Sequence, residues 1–421
     1  MRILWLKTEL LHPVDKGGKI RTYQMLKELK RNHQITYLTL DDGSADPEAV
    51  ERATEYCTDL ITIRHDVAEK FSGRFYLALV ANSFSRLPYA LEKYVSTRMR
   101  ERIVKTTAEG KHDILVCDFL APAVNVPDSL PIPTVLFQHN VEAMIWRRHF
   151  EVATNAIKRL YLKNQWRRMA EYEKQACSRF DRVIAVSPKD VVTMKAEYGV
   201  EDISDVPTGV DTNYFVADQD AARTGNKVVF TGSMDWLPNE DAIIWFAENI
   251  WPRILEKVSD ASLVLVGRNP SKSIVGLKRR SNAVTVTGSV PDVRPHMADA
   301  SVFVVPIRVG GGTRLKIFEA MSMGLPVVST TVGAEGLSVN DGEQILLRDD
   351  PTEFAAAVVE LLINKNLAEA IGRQAAESVR TSYGWANVAA EFAAQCDVAI
   401  SNVRKKDHSF LKVRNTRVEA V

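Results

Sequence analysis

Pro306-Ile307-Arg308-Val309-Gly310-Gly311-Gly312-Thr313-Arg314-Leu315-Lys316-Ile317-Phe318-Glu319-Ala320-Met321 follows directly on the apolar run at residues 302–305. The order is strand, three glycines, then a helix from about Thr313. Glycines let an anion approach bare backbone, and the amides at a helix N-terminus point at it. Arg314 and Lys316 add formal positive charge. Glu319 lies about two turns into the helix, within reach of a group attached to a bound phosphate. The GK[ST] ending of a P-loop is absent. A strand feeding a helix through such a turn is the unit of a parallel α/β sheet.

The same unit recurs on either side. Residues 228–231 end in Gly232-Ser233, and Pro238, Asn239, Glu240 and Asp241 look like a helix start, with acids where the dipole favours them. Residues 263–266 end in Gly267, 284–287 in Gly288, and 327–329 follow Gly324-Leu325-Pro326. In the first half, residues 3–6 read as a strand, Gly17-Gly18 as the loop after it, and about 19–30 as a helix. Further runs lie at 35–40, 114–117, 134–137 and 183–186. They are continuous rather than alternating, as in strands covered on both faces. Tight turns at the strand tips mark the edge where open α/β sheets bind ligands.

A chain of 421 residues exceeds the ~250–300 that one core usually supports, so two domains are expected. The break falls near Val206-Pro207-Thr208-Gly209-Val210-Asp211, giving domains at 1–205 and 206–383. Lys+Arg 54 against Asp+Glu 53 argues against a nucleic-acid binder. Cys57, Cys117, Cys177 and Cys396 form no CxxC pair, so reduced buried thiols are expected. MRILWLKTELLHP does not read as a secretory signal, and no run approaches the ~18 apolar residues of a membrane span. A cytoplasmic protein is expected, with peripheral contact on the inner face of the cell membrane as an option.

GGGTRLKIFEAMSMGLPVVSTTVGAEGL, residues 310–337, resembles the donor-site segment of retaining GT-B glycosyltransferases, family 4 (glycosyl transferases group 1). FTGSMDWLPNEDA (230–242), LVLVGR (263–268), VTGSVPDV (286–293) and VPTGVD (206–211) support it. So do DKGGKIRTYQML (15–26) and FQHN (137–140) in the first half. The resemblance implies two facing Rossmann-like domains with parallel sheets and an interdomain cleft. It also implies a last helix, about 384–400, returning to the N-terminal acceptor-side domain. Residues 401–421, rich in Lys and Arg, read as a basic, disordered tail.

The implied reaction moves a hexosyl group from a nucleotide diphosphate sugar to a hydroxyl of a glycan or polyprenyl-linked acceptor. Configuration is retained, and the setting is cell-surface polysaccharide synthesis. Glu319 matches the second Glu of the family's Glu-x7-Glu pattern, which binds the donor ribose. The first falls on position 311, here Gly311, where the amides of Gly311, Gly312 and Thr313 stand in its place. Relatives place cations just after the first strand of the donor domain. This chain has Ser233-Met234-Asp235-Trp236 there, so Arg314 and Lys316 become the phosphate cations, with Arg268 and Arg308 behind them. Gly232, Gly267 and Val290 complete the donor side, Gly17 and Gly18 the opposing loop. His139 matches the histidine that contacts the donor sugar, with Glu142 a candidate to orient it. No metal and no cofactor are expected, and Asp41-Asp42 and Asp349-Asp350 read as loop carboxylates.

Residues 144–174 carry eight Lys/Arg against three Glu, with Trp146, Phe150, Tyr161, Trp166 and Tyr172 interleaved; a second basic aromatic stretch spans 71–102. Such helices lie on anionic lipid or form a solvated face. Rival readings are an epimerase on the same fold, a non-catalytic glycan-binding scaffold, and a dinucleotide oxidoreductase. The last needs a GxGxxG after a strand, which the sequence lacks.

Overall fold

The computed structural model describes every residue except 16, 44–46, 70, 154, 217–222, 224, 310–313 and 419–421, and omits the side chains of 152, 280 and 406–418. Among the described residues the chain divides into two compact units, 1–207 with 388–421, and 208–387.

In the first unit the strands are β1 (Arg2–Lys7), β2 (Gln34–Asp41), β3 (Asp59–Arg64), β4 (Ile114–Asp118), β5 (Thr134–Phe137), β6 (Arg182–Ala185) and β7 (Ile203–Asp205). They line up as β3-β2-β1-β4-β5-β6-β7, every pair parallel. In the second unit β8 (Lys227–Thr231), β9 (Ser262–Val266), β10 (Val284–Gly288), β11 (Val302–Val305), β12 (Val327–Ser329) and β13 (Leu346–Leu347) run β10-β9-β8-β11-β12-β13, again all parallel. Both sheets therefore start in the middle, wind outward to one side, and then switch to the other. These are two Rossmann-like domains, and each has its switch point beside its first strand: β1/β4 and β8/β11.

The continuous apolar runs follow from burial on both faces. Val228 and Phe230 enter one core cluster and Val229 between them enters another; Val302 and Val304 divide from Phe303 and Val305 in the same way. In the first sheet Leu4, Leu6, Leu115 and Cys117 share one cluster, while Trp5 and Phe137 meet Phe392 at 5.5 and 4.9 Å between ring centres. Phe392 belongs to the last helix, Trp385–Val418.

Two expectations need correction. The last helix does not stop near residue 400 before a disordered tail; its backbone stays helical to Val418, because no Gly or Pro interrupts 385–418. Strands β3, β7 and β13 were not expected. DLITIR mixes polar and apolar residues at a sheet edge, and the other two have three and two residues.

Candidate functional site

At the first switch point, adjacent strands β1 and β4 end in Lys7 and Asp118. Helix Gly17–Leu29 starts at the glycine pair and brings Thr22 alongside. Asp118 Oδ2 accepts from Lys7 Nζ at 2.8 Å, Thr22 Oγ1 at 2.7 Å and Trp5 Nε1 at 3.1 Å. Its Oδ1 lies 2.7 Å from His139 Nε2. All of these side chains are buried. Burial alone would raise the Asp118 carboxyl, but Lys7 and His139 outweigh it and hold it well below the usual range. Burial pushes the His139 imidazole down to about 3 against the pull of Asp118, so it is neutral at pH 7. With Nε2 turned to the carboxylate, the matching tautomer leaves Nδ1 as a lone-pair acceptor, and Nδ1 has no partner among the described residues.

Phe119 covers this cluster. Its ring stacks on His139 at 3.7 Å between centres and lies 4.2 Å from Lys7 Nζ. Its backbone sits at φ +75°, a left-handed conformation unusual for a bulky residue and characteristic of functional sites. Gly18 is small for a reason: a Cβ there would come within 3.0 Å of the Phe119 ring. Gly17 has open space around it and no such constraint.

Glu142 does not orient His139; Asp118 does. Glu142 bonds Asn140 instead, and burial raises its carboxyl. The His139 loop is clamped by Glu173, which is fully buried and accepts from Gln138 Nε2 (3.0 Å), Glu142 N and Ala143 N (both 2.9 Å) and Tyr198 Oη (2.8 Å). It thereby satisfies free amides at the start of helix Glu142–Val152. Burial pushes Glu173 up to about 7, opposed by those hydrogen bonds. In sequence Glu173 is one of the three acids of the basic 144–174 stretch, expected on lipid or at a solvated face. The available signal was position, since Met169, Glu173 and Cys177 follow one another at helical spacing and all face inward. For Asp118 the signal was a charge closing the apolar run ILVC.

At the second switch point Lys316, on helix Leu315–Ser322, reaches back to the tip of β8. Its Nζ donates to Asn239 Oδ1 at 3.0 Å and lies 4.1 Å from the Phe230 ring centre, while Asn239 Nδ2 donates to Ser233 O at 2.7 Å. A Cβ on Gly232 would meet Lys316 Nζ at 2.6 Å, and one on Gly267 would meet Gly232 O at 1.7 Å. The glycines thus allow the strand tips to close up beneath a lysine. The loop after β8 has no cation of its own in sequence, and Lys316 supplies one in space.

Arg314 is buried, its guanidinium 5.5 Å from the Trp236 ring centre. Arg268 Nε donates to Ser233 Oγ at 3.0 Å on the same loop. Arg308 is engaged by Asp241 at 2.7 Å. Val290 is half-buried against the core. Gly311, Gly312 and Thr313 lie outside the described residues. Glu319 is half-buried and its carboxylate makes no hydrogen bond among the described residues. Burial, with Arg314 adding, brings Lys316 down to about 7; burial brings Glu319 up to about 7, with Lys316 opposing.

The paired aspartates have structural partners. Asp349 accepts from Thr331 N and Oγ1, Asp350 caps helix Pro351–Ile363, and Asp41 accepts from Gly43 N. Among the described residues no group of three or more His, Cys, Asp or Glu is placed to hold a metal ion, and no helix is long and apolar enough to cross a membrane.

Two family models match: "Glycosyltransferase Family 4" over residues 16–214 and "Glycosyl transferases group 1" over 225–364. An uncharacterised 44.6 kDa protein in the cps region of Klebsiella pneumoniae is 21% identical over 91% of this chain and 96% of its own. A GDP-mannose-dependent α-(1-6)-phosphatidylinositol monomannoside mannosyltransferase of Mycobacterium tuberculosis is 29% identical over 45% of this chain; the match spans about half, 54%, of that enzyme. The structure of sucrose-phosphate synthase from Thermosynechococcus elongatus superimposes with a TM-score of 0.69 at 18% identity, over 96% of this chain and 100% of that one, which speaks to fold.

Proposed function

We propose, from the premise that the chain is a glycosyltransferase of the GT-B type, that it transfers a hexosyl group from a nucleotide diphosphate sugar to a hydroxyl of a glycan or lipid-linked acceptor, with retention. The observation that carries this is the second switch point. Lys316 lies over the glycine tip of β8, Arg314 sits two residues before it, and an uncommitted carboxylate, Glu319, follows one turn later. Cations beside bare backbone suit a diphosphate, and a carboxylate accepting two hydroxyls suits a ribose.

Departure of the diphosphate develops negative charge on its oxygens. Lys316 and Arg314 stabilise that charge electrostatically, a role that needs no divalent ion. The incoming hydroxyl attacks the face the phosphate leaves, and a phosphate oxygen takes its proton. His139 stays neutral and cannot act as an acid. The cps-region relative supports a surface-polysaccharide setting, and the mannosyltransferase makes GDP-mannose the first donor to test.

The test is incubation of the full chain with GDP- and UDP-sugars, with acceptor glycans and excess EDTA, and NMR of the product's anomeric carbon. Transfer with retained configuration supports the proposal. Inverted product overturns retention, dependence on added metal overturns the metal-independent role, and release of free epimerised sugar points to an epimerase. Binding without turnover would make the chain a scaffold.

A further inference from the structure

Helix Gly73–Asn82, GRFYLALVAN, is apolar on nearly every side, the composition of a buried helix or of one lying in a membrane interface. It is not buried. Tyr76, Leu77 and Val80 stand exposed, Leu77 by 72%, and Phe84 just past its end by 91%. The start of helix Ala156–Arg179 repeats the feature, with Ile157 82% and Leu160 71% exposed one turn apart.

The structure joins these stretches, which lie some seventy residues apart in sequence. Arg168 donates to the carbonyls of Asn82 (2.6 Å) and Ser83 (2.9 Å), Gln165 Nε2 to Asn82 Oδ1 (3.1 Å), and Tyr89 N to Gln165 Oε1 (2.8 Å). Phe71, Phe75 and Tyr89 follow ring to ring at 6.1 and 5.6 Å. Eight of the twenty large apolar side chains that stand exposed among the described residues fall within 71–84 and 157–161, a concentration scattered surface residues do not show.

Within the two stretches the charge has one sign, with Glu69, Glu92, Glu151 and Glu171 at their margins. Residues 71–91 and 152–170 contain seven Arg or Lys and no Asp or Glu. Arg74, Arg86, Lys158 and Arg159 are exposed.

We propose that this face docks the first unit on an anionic lipid bilayer, with the apolar side chains of both helices at headgroup level and the cations against lipid phosphates. Ten residues at ~1.5 Å each reach about 15 Å, half a hydrocarbon core of about 30 Å, so the helix lies in the interface and does not cross. A second copy on the same face would set Arg74, Arg86, Lys158 and Arg159 against the same four cations, a repulsion that disfavours self-association there.

The full chain is sedimented with phosphatidylcholine vesicles and with vesicles carrying added phosphatidylglycerol, at low and high salt. Leu77→Glu with Leu160→Glu removes the apolar contacts, and Arg74→Glu with Lys158→Glu reverses charge; circular dichroism checks that each folds. The wild type should bind the anionic vesicles at low salt and dissociate as salt screens the charges, and each double variant should bind at least ~10-fold more weakly. Absence of binding at low salt overturns the proposal, as does binding that the Leu77 and Leu160 changes leave untouched. A dimer in sedimentation velocity that those same changes dissociate would assign the face to a second copy instead. The readout uses no nucleotide, so it stands or falls apart from the transferase reading.

Discussion

The two switch points share a winding order but not an electrostatic state. In the first, Asp118 is buried and ringed by Lys7, Thr22, Trp5 and His139, its charge already matched. In the second, Lys316 and Glu319 are half-buried, and both are brought to about 7 by burial. A matched cluster holds its shape with nothing bound. A pair poised near neutrality responds to whatever charge arrives. The lesson is that one fold can make one strand tip a fixed support and the equivalent tip a charge-sensitive receptor.

The largest effect is expected at Asp118. Asp118→Ala leaves Lys7 buried without its counter-ion, and losing one partner of a buried pair costs about 3–5 kcal/mol. Urea unfolding should show a loss of that size; a change under about 1 kcal/mol would mean the cluster is not a support. Acid should act in the same direction. Between the ordinary histidine value of 6.5 and the folded value of about 3, the unfolded chain binds a proton at His139 that the native chain does not. Stability therefore falls as pH drops through that window, and Asp118, also held low, extends the loss to lower pH.

Lys316→Met should act on ligand binding and barely on stability. Loss of one charged hydrogen bond, about 1.5–3 kcal/mol, weakens nucleotide diphosphate binding roughly 10- to 100-fold. Calorimetric titration with GDP and UDP checks this, and unchanged affinity for both would remove Lys316 from the phosphate site. Glu319→Gln should cost about tenfold in nucleotide affinity with a stability change below about 0.5 kcal/mol, because burial already disfavours its charge.

The same titrations, run in buffers of different ionisation enthalpy, sharpen the contrast. A diphosphate favours charged Lys316, so binding takes up a proton there; a ribose favours ionised Glu319, so binding releases one. The two cancel near pH 7 in the wild type. Glu319→Gln should leave net uptake, with affinity falling as pH rises through 7, and Lys316→Met net release. A local titration tests the cover over the first cluster, Phe119. Phe119→Ala admits water to His139, so its pKa should climb from about 3 toward 6.5, read by NMR titration of the imidazole. An unmoved titration would show that the ring does not keep His139 dry.

Much of this was legible before any coordinates. The apolar runs marked ten of the thirteen strands among the described residues, because strands covered on both faces must be apolar throughout. Gly18, Gly232 and Gly267 were legible as turn residues, though their reason was not: each admits a neighbour that a Cβ would block. Lys316 was picked from its place beside the glycine loop, without any sign that it reaches the tip of β8, 85 residues earlier.

By itself the sequence determined which segments are strands and helices, where the chain turns, and which residues carry charge into those turns. Local backbone preference and apolar patterning act over a few residues, so they can be read locally. The tertiary structure decided the partners. Asp118 rather than Glu142 faces His139, because β4 lies beside β1 and β5 in the sheet, while Glu142 has turned into a helix. Glu173 leaves the basic surface for the loop around His139, because its turn of helix faces inward. Ionisation followed the same rule: a carboxylate or lysine has its ordinary pKa in a sequence, and only burial beside named neighbours moves it.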